Sequence, residues 1–222
     1  MENSGGCLIE DEIEEIRSKM LLMGGMVVEM IKNSLDGLLN ENHESISKTF
    51  ELEESVNSAE VEIDNLCNNI LVLRAPTASD LRFVVSTLRM LRDLERIGDE
   101  AEKMAKNAQY FHKSVHSNLP RIDFSGMVVD VISMLKRVLD AYARDDVTEL
   151  KKVITDDKII DESFRKTLHE LMTYMLKEND NIECCIDLIF FAKALERIGD
   201  HAKNMSESII FMVKGKDLRH SS

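Results

Sequence analysis

The chain has 222 residues, 44% of them hydrophobic, with 2 Pro, 9 Gly, 13 Met and no Trp. That is enough apolar surface for a substantial core, and so few helix breakers point to long helices rather than disorder. A net charge of -13 with a pI near 5.0 excludes a nucleic-acid binder, which needs a basic footprint, and disfavours anionic membrane surfaces.

Residues 1–9 are polar and read as a flexible arm. Residues 10–40 follow a helical pattern interrupted by Gly24-Gly25, flanked by Met23 and Met26. Each interior glycine costs about 1 kcal/mol relative to Ala, so the pair predicts close approach of another helix. The Met-rich side of this helix is a candidate partner or dimer face.

Asn42 is placed to cap a second helix running to about Arg74, with the seam Leu52, Val56, Ala59, Ile63, Leu66, Ile70, Leu73. Its steps of 4 and 3 are those of a helical bundle. Ala75-Pro76 ends it. Thr77-Ala78-Ser79-Asp80 has the spacing of a capping box for a third helix. That helix carries Phe83, Thr87, Met90, Leu94, Ile97, Ala101, Met104 and Ala108, and fades near His112.

Residues 114–124, with Pro120, form a linker. A fourth helix covers 125–143. Asp146-Val147-Thr148-Glu149 caps a fifth, which reaches about Lys177, and Asp180-Asn181-Ile182-Glu183 caps a sixth. The sixth repeats the 4, 3 seam at Cys184, Leu188, Phe191, Leu195, Ile198, Ala202, Met205, Ile209 and Met212. No stretch has a period of two, so no strand is expected. The predicted fold is all-α, a tandem pair of three-helix bundles made of six long helices, one spanning 10–113 and the other 125–222.

No apolar run reaches the roughly 18 residues of a membrane span; residues 186–192 come closest and contain Asp187. The start of the chain lacks the basic and apolar segments of a signal peptide. Cys7, Cys67, Cys184 and Cys185 show no CxxC spacing and read as reduced, buried thiols of a cytoplasmic protein.

Six letters are written twice. Leu94-Glu95-Arg96-Ile97-Gly98-Asp99 returns as Leu195-Glu196-Arg197-Ile198-Gly199-Asp200, 101 positions later. A fixed internal repeat marks a duplicated structural unit. Each copy holds Glu-x-x-x-Asp, which puts both carboxylates on one helix face. The preceding helix in each half has the same spacing, at Glu60 with Asp64 and at Asp157 with Asp161. Glu60, Asp64, Glu95 and Glu196 each directly follow a seam residue, on the shoulder of the core stripe. Asp157 and Asp161 fall in line with Leu150, Ile154, Phe164, Leu168, Leu171 and Met175.

Two carboxylates about 6 Å apart repel by roughly 3 kcal/mol at an effective dielectric near 20. Protons, Arg or Lys side chains, or metal cations must offset such a cluster. All-oxygen ligation suits Mg, Mn, Ca or Fe, with Zn also possible. The candidate metal ligands are Glu60, Asp64, Glu95, Asp99, Asp157, Asp161, Glu196 and Asp200. The plain alternative is solvated surface charge, with Arg96 paired to Glu100 and Arg197 to Asp200.

His112 and His116 have ligand spacing but sit at a fraying helix end and read as solvated. His201 reads as a surface or interface residue, and Cys184-Cys185 as core. There is no glycine-rich phosphate loop, nucleophile elbow or H-E-x-x-H, so no enzyme is expected. A di-metal carboxylate oxidoreductase or iron store is the competing class, but such bundles use Glu-x-x-His. His43, His112, His116, His169 and His201 lack an acid three positions before. His220 has one, Asp217, in the tail.

The doubled Leu-Glu-Arg-Ile-Gly-Asp resembles the most recognisable motif of the PhoU family. So do Met23-Gly24-Gly25-Met26, the run Pro76-Thr77-Ala78-Ser79-Asp80-Leu81-Arg82, Leu171-Met172-Thr173-Tyr174-Met175, and the tail from Val213 to His220. The resemblance implies two three-helix bundles with pseudo-twofold symmetry, usually as homodimers. It implies multinuclear metal binding through the E/D-x-x-x-D motifs at the eight acids named above. It also implies a role in phosphate signalling. A phosphate ABC transporter, reached through its ATPase subunit, would be coupled to a sensor histidine kinase, and the starvation response and phosphate uptake repressed when phosphate is plentiful. Contact with the membrane would be only through these partners. The chain departs from the pattern at Asn65 and Cys67, where acids often occur, and at Lys203, which stands where the first half has Glu102.

Overall fold

A computed structural model describes residues 4–113, 122–177 and 181–215. Six helices follow one another: α1 (Ser4–Asn40), α2 (His43–Leu73), α3 (Ala78–Lys113), α4 (Ser125–Arg144), α5 (Leu150–Met175) and α6 (Ile182–Lys214). No strand occurs among the described residues, and no helix among them is long and apolar enough to cross a membrane. Residues 114–121, which hold most of the expected linker and His116, lie outside the described residues, as do Asp180 and the tail beyond Gly215.

The turn chemistry explains most boundaries. Asn42 Oδ1 accepts from the backbone N–H of Glu44 and Ser45, at 3.1 and 3.2 Å, and starts α2. At α3 the Asp80 carboxylate accepts from the Thr77 N–H at 3.0 Å, the returning half of a capping box. Before α5, Asp146 accepts from the Thr148 N–H at 2.9 Å in a local turn, and the helix opens at Leu150. One boundary differs from expectation. α1 begins at Ser4, so most of the stretch read as an arm is helix; Gly5 and Gly6 weaken that turn, but no proline there stops a helix already nucleated by the packed turns after it.

α1, α2 and α3 form one bundle and α4, α5 and α6 the other, with α3 lying along α6 and α1 along α4. Asp93 meets His201, Glu100 meets Arg197, and Arg82 reaches the Met212 carbonyl oxygen. Positions that rise along α3 fall along α6, so the two central helices run antiparallel. The seams of α3 and α6 are buried along their whole length.

Gly24 explains itself at the α1–α4 contact. A Cβ there would stand 2.5 Å from Leu139 Cδ1, so the missing side chain lets the two bundles close up. Nearby, the Arg17 guanidinium bonds the Tyr142 carbonyl oxygen and the Asp145 carboxylate, at 3.1 Å to Oδ2, and lies 5.1 Å over the Phe83 ring. The Tyr142 hydroxyl is 2.8 Å from Thr87 Oγ1. One cation thus ties α1, α3 and α4 together. Met20, Met23 and Met30 are fully buried. The first helix turns its methionines inward, and they are core rather than the expected partner face, because they share the stripe of Ile16, Val27 and Ile31.

Asp187 sits half-buried in the apolar start of α6. Burial, then the nearby Glu183 charge, pushes its carboxyl up to about 6 from 3.8. A folded-state value raised this way means the ionised form costs stability, and the cost appears as pH rises from near 4 through 6. Asp187→Asn should therefore melt higher than the parent chain at pH 7.5, with the difference closing near pH 4. Thermal melts by circular dichroism across that range check this.

Candidate functional site

The eight acids lie on two helix pairs, α2 with α3 and α5 with α6. In the first half Glu95 is lifted above the usual carboxylate range by burial first, then by the Asp99 charge, with Glu60 and Glu53 adding to it. Arg96 opposes, 3.5 Å from Glu95 Oε2 and 3.2 Å from Asp99 Oδ2, but its guanidinium is more than half exposed. Glu95 and Asp99 therefore share one loosely held cation, and Glu60 and Glu53 add to the negative charge around Glu95. Asp64 stands apart. It is exposed and accepts from Asn68 Nδ2 at 2.8 Å. In its place the structure brings in Glu53, which the sequence reading missed. The signal was there: Glu53 directly follows the seam residue Leu52, seven positions before Glu60.

In the second half the other three predicted acids all bear on Asp200. Asp200 is raised by burial first, then by Asp157 and Glu196, with Asp161 adding and Lys203 opposing. Asp157 is 3% exposed. Its Oδ2 accepts from Lys203 Nζ at 2.8 Å, and its Oδ1 is buried without a hydrogen-bond partner. That oxygen lies 3.4 Å from where a Cβ of Gly199 would be, so α5 packs this carboxylate at ordinary contact distance beside Gly199 of α6. Lys193 Nζ bonds Glu196 Oε2. The hydrogen bond to Asp157, helped by the Asp157, Asp200 and Glu207 charges, holds Lys203 above its usual pKa against a smaller effect of burial.

Arginine pairings depart from the local ones expected. Arg197 reaches across to Glu100 Oε1 at 3.3 Å, not to Asp200, and Glu100 also takes Lys103 at 2.8 Å. Arg96 serves Glu95 and Asp99, not Glu100. Glu100 is buried between the halves, and the nearest cations on both helices converge on it because burying a carboxylate unpaired is costly. His201 pairs with Asp93 at 2.9 Å, at the α3–α6 interface. His112 is not solvated: its Nε2 lies 2.9 and 3.0 Å from the carbonyl oxygens of Gly37 and Leu38, at the open end of α1.

The donor set in each half is all oxygen, which suits hard cations. As the side chains stand, no group of three or more His, Cys, Asp or Glu among the described residues is gathered tightly enough to hold a metal ion. What the arrangement shows is clustered negative charge at the edge of a packed core, loosely countered in one half and firmly in the other.

The charge balance makes a paired prediction for chain stripped of metal by chelator. Glu95→Gln removes a repelled carboxylate and should raise the melting temperature by roughly 1–2 °C. Asp157→Asn strands a lysine beside the core and should lower it by roughly 5 °C. Calorimetry of the two variants measures both.

The family model described as PhoU domain matches residues 20–108 and again 124–209. The phosphate-specific transport system accessory protein PhoU homolog of Pseudomonas putida is 38% identical over 94% of this chain and 82% of its own length. The accessory protein PhoU of Escherichia coli K12 is 36% identical over 94% and 86%. The crystal structure of PhoU from Pseudomonas aeruginosa superposes with a TM-score of 0.89 at 35% identity, covering 93% of this chain and 99% of that one. The phosphate transport system regulatory protein PhoU from Streptococcus pneumoniae, at 24% identity, shares the fold with a TM-score of 0.86 over 95% of this chain and 99% of its own.

Proposed function

This chain belongs to the PhoU family, and from that premise we propose that it is a non-catalytic regulator of phosphate homeostasis. It couples the ATPase subunit of a phosphate ABC transporter to a sensor histidine kinase. When phosphate is plentiful it restrains uptake and keeps the starvation response off. The observation that carries this reading is the likeness over 94% of the chain to proteins named for the phosphate-specific transport system. The acidic surface, at net charge -13, fits basic faces on protein partners better than lipid. The chain works in the cytoplasm, as a homodimer, and meets the membrane only through its partners. Nothing in the comparisons favours the oxidoreductase or iron-store alternative.

Metal binding is part of the proposal. Glu60, Glu95 and Asp99, with Glu53, form an oxygen-donor set that a hard cation would neutralise. What the cation supplies is charge: it replaces mutual repulsion by attraction between α2 and α3 and so braces the two helices. The Glu95 carboxyl, raised by burial first and then by Asp99, with Glu60 and Glu53 adding and an exposed arginine opposing, supports this fit. In the second half Asp157, Asp161, Glu196 and Asp200 offer the same chemistry, but Lys203 already occupies one carboxylate.

Two experiments test the proposal. Immobilised chain should retain both the transporter ATPase subunit and the cytoplasmic part of the kinase, and less of each after chelation; retention of neither contradicts the adaptor role. Elemental analysis should find bound metal in the parent chain and little in the variant with Glu95, Asp99, Glu196 and Asp200 all changed to Ala. Equal metal in both removes the metal assignment.

A further inference from the structure

The two copies of the repeat differ in how they meet their own charge. We propose that Lys203 is a built-in counter-ion standing in for metal in the second half, so that this chain loads metal through its first half only. The inference rests on the metal reading of the first half.

Lys203 comes from α6 and places its ammonium 2.8 Å from Oδ2 of Asp157 on α5. It bridges the same two helices that a cation would brace. Asp157 is buried and its Oδ2 is taken by the lysine, so an incoming ion has to displace Lys203 to use that oxygen. The charges around Lys203 come from both helices: Asp157 on α5, and Asp200 and Glu207 on α6. Lys193, ten residues earlier on α6, takes Glu196. Four carboxylates there face two lysines.

The first half has neither lysine. Subtracting the repeat of 101 positions, Lys203 corresponds to Glu102 and Lys193 to Arg92. Glu102 adds negative charge, taken up locally by Lys106 at 2.6 Å. Arg92 lines the groove between α3 and α6, beside Arg89 and Asn204. The third possible cation differs too. Arg96 stays with its own cluster, whereas its counterpart Arg197 is committed to Glu100 across the interface. An exposed arginine swings aside at little cost, but a lysine bonded to a buried carboxylate does not. A mobile ion therefore has reason to enter one half and not the other.

The test is Mn²⁺ uptake by metal-stripped full-length chain, by equilibrium dialysis and elemental analysis. Uptake by the parent should vanish in Glu95→Gln/Asp99→Asn and persist in Glu196→Gln/Asp200→Asn. Lys203→Gln should raise bound Mn²⁺ about twofold. Adding Asp200→Asn to it should return uptake to the parent level. In chelator Lys203→Gln should melt lower by roughly 5 °C and recover with Mn²⁺. Lys203→Arg, which keeps the charge, should match the parent in uptake. Loss of uptake in Glu196→Gln/Asp200→Asn, or no gain in Lys203→Gln, overturns the assignment. If the parent binds no Mn²⁺, the metal reading of the first half fails. Lys203 is then judged on its own variant: uptake there supports the stand-in role, and none refutes it.

Discussion

Like charges held side by side at the edge of a packed core are the constraint on which this molecule turns. Each half brings carboxylates from two consecutive helices onto the shoulder of the seam that binds those helices together. The apolar seam supplies the attraction and the acids oppose it, so each half gains stability from whatever neutralises them. Lys203 and Lys193 do so in the second half, where Asp157 is buried outright. In the first half an exposed arginine serves Glu95 and Asp99, while Glu53 and Glu60 add their charge to Glu95. The duplicated backbone is shared, and the electrostatic solution is not.

The halves are also tied to each other, through contacts that run near both clusters. α3 and α6 lie antiparallel, joined by Glu100 with Arg197 and by Asp93 with His201. Glu100 follows Asp99 directly, and Arg197 follows Glu196. Neutralising one cluster thus acts on helices whose next residues hold the interface. At the far side Arg17 joins α1 to α4 by bonds to Tyr142 and Asp145. For a protein proposed to pass a signal between two partners, this places the charge-bearing sites on the same elements that set how the bundles sit together.

Much of this was legible in the chain because helices write their inward face at fixed steps. The seams of α3 and α6 are buried residue for residue, and Asn42 and Thr77 start α2 and α3 through local hydrogen bonds. Asp157 was recognisable as a carboxylate inside an apolar stripe. What the pattern does not carry is which partner a face meets. Arg197 has Asp200 within reach on its own helix, yet packing sets it beside Glu100. His112 looks like a frayed end until α1 ends against it. Glu53 obeys the same rule as Glu60, but only the register of α2 against α3 shows that it, and not Asp64, bears on Glu95. Lys203 is visible as a change of sign within the repeat, and its meaning depends on Asp157 arriving from another helix.

The most direct measurement of the central claim is anomalous diffraction at the manganese edge from crystals of the full chain grown with Mn²⁺. The account predicts a peak among Glu53, Glu60, Glu95 and Asp99, and density for the Lys203 side chain on Asp157 with no peak beside it. A peak among Asp157, Asp161, Glu196 and Asp200, or none in either half, would contradict it.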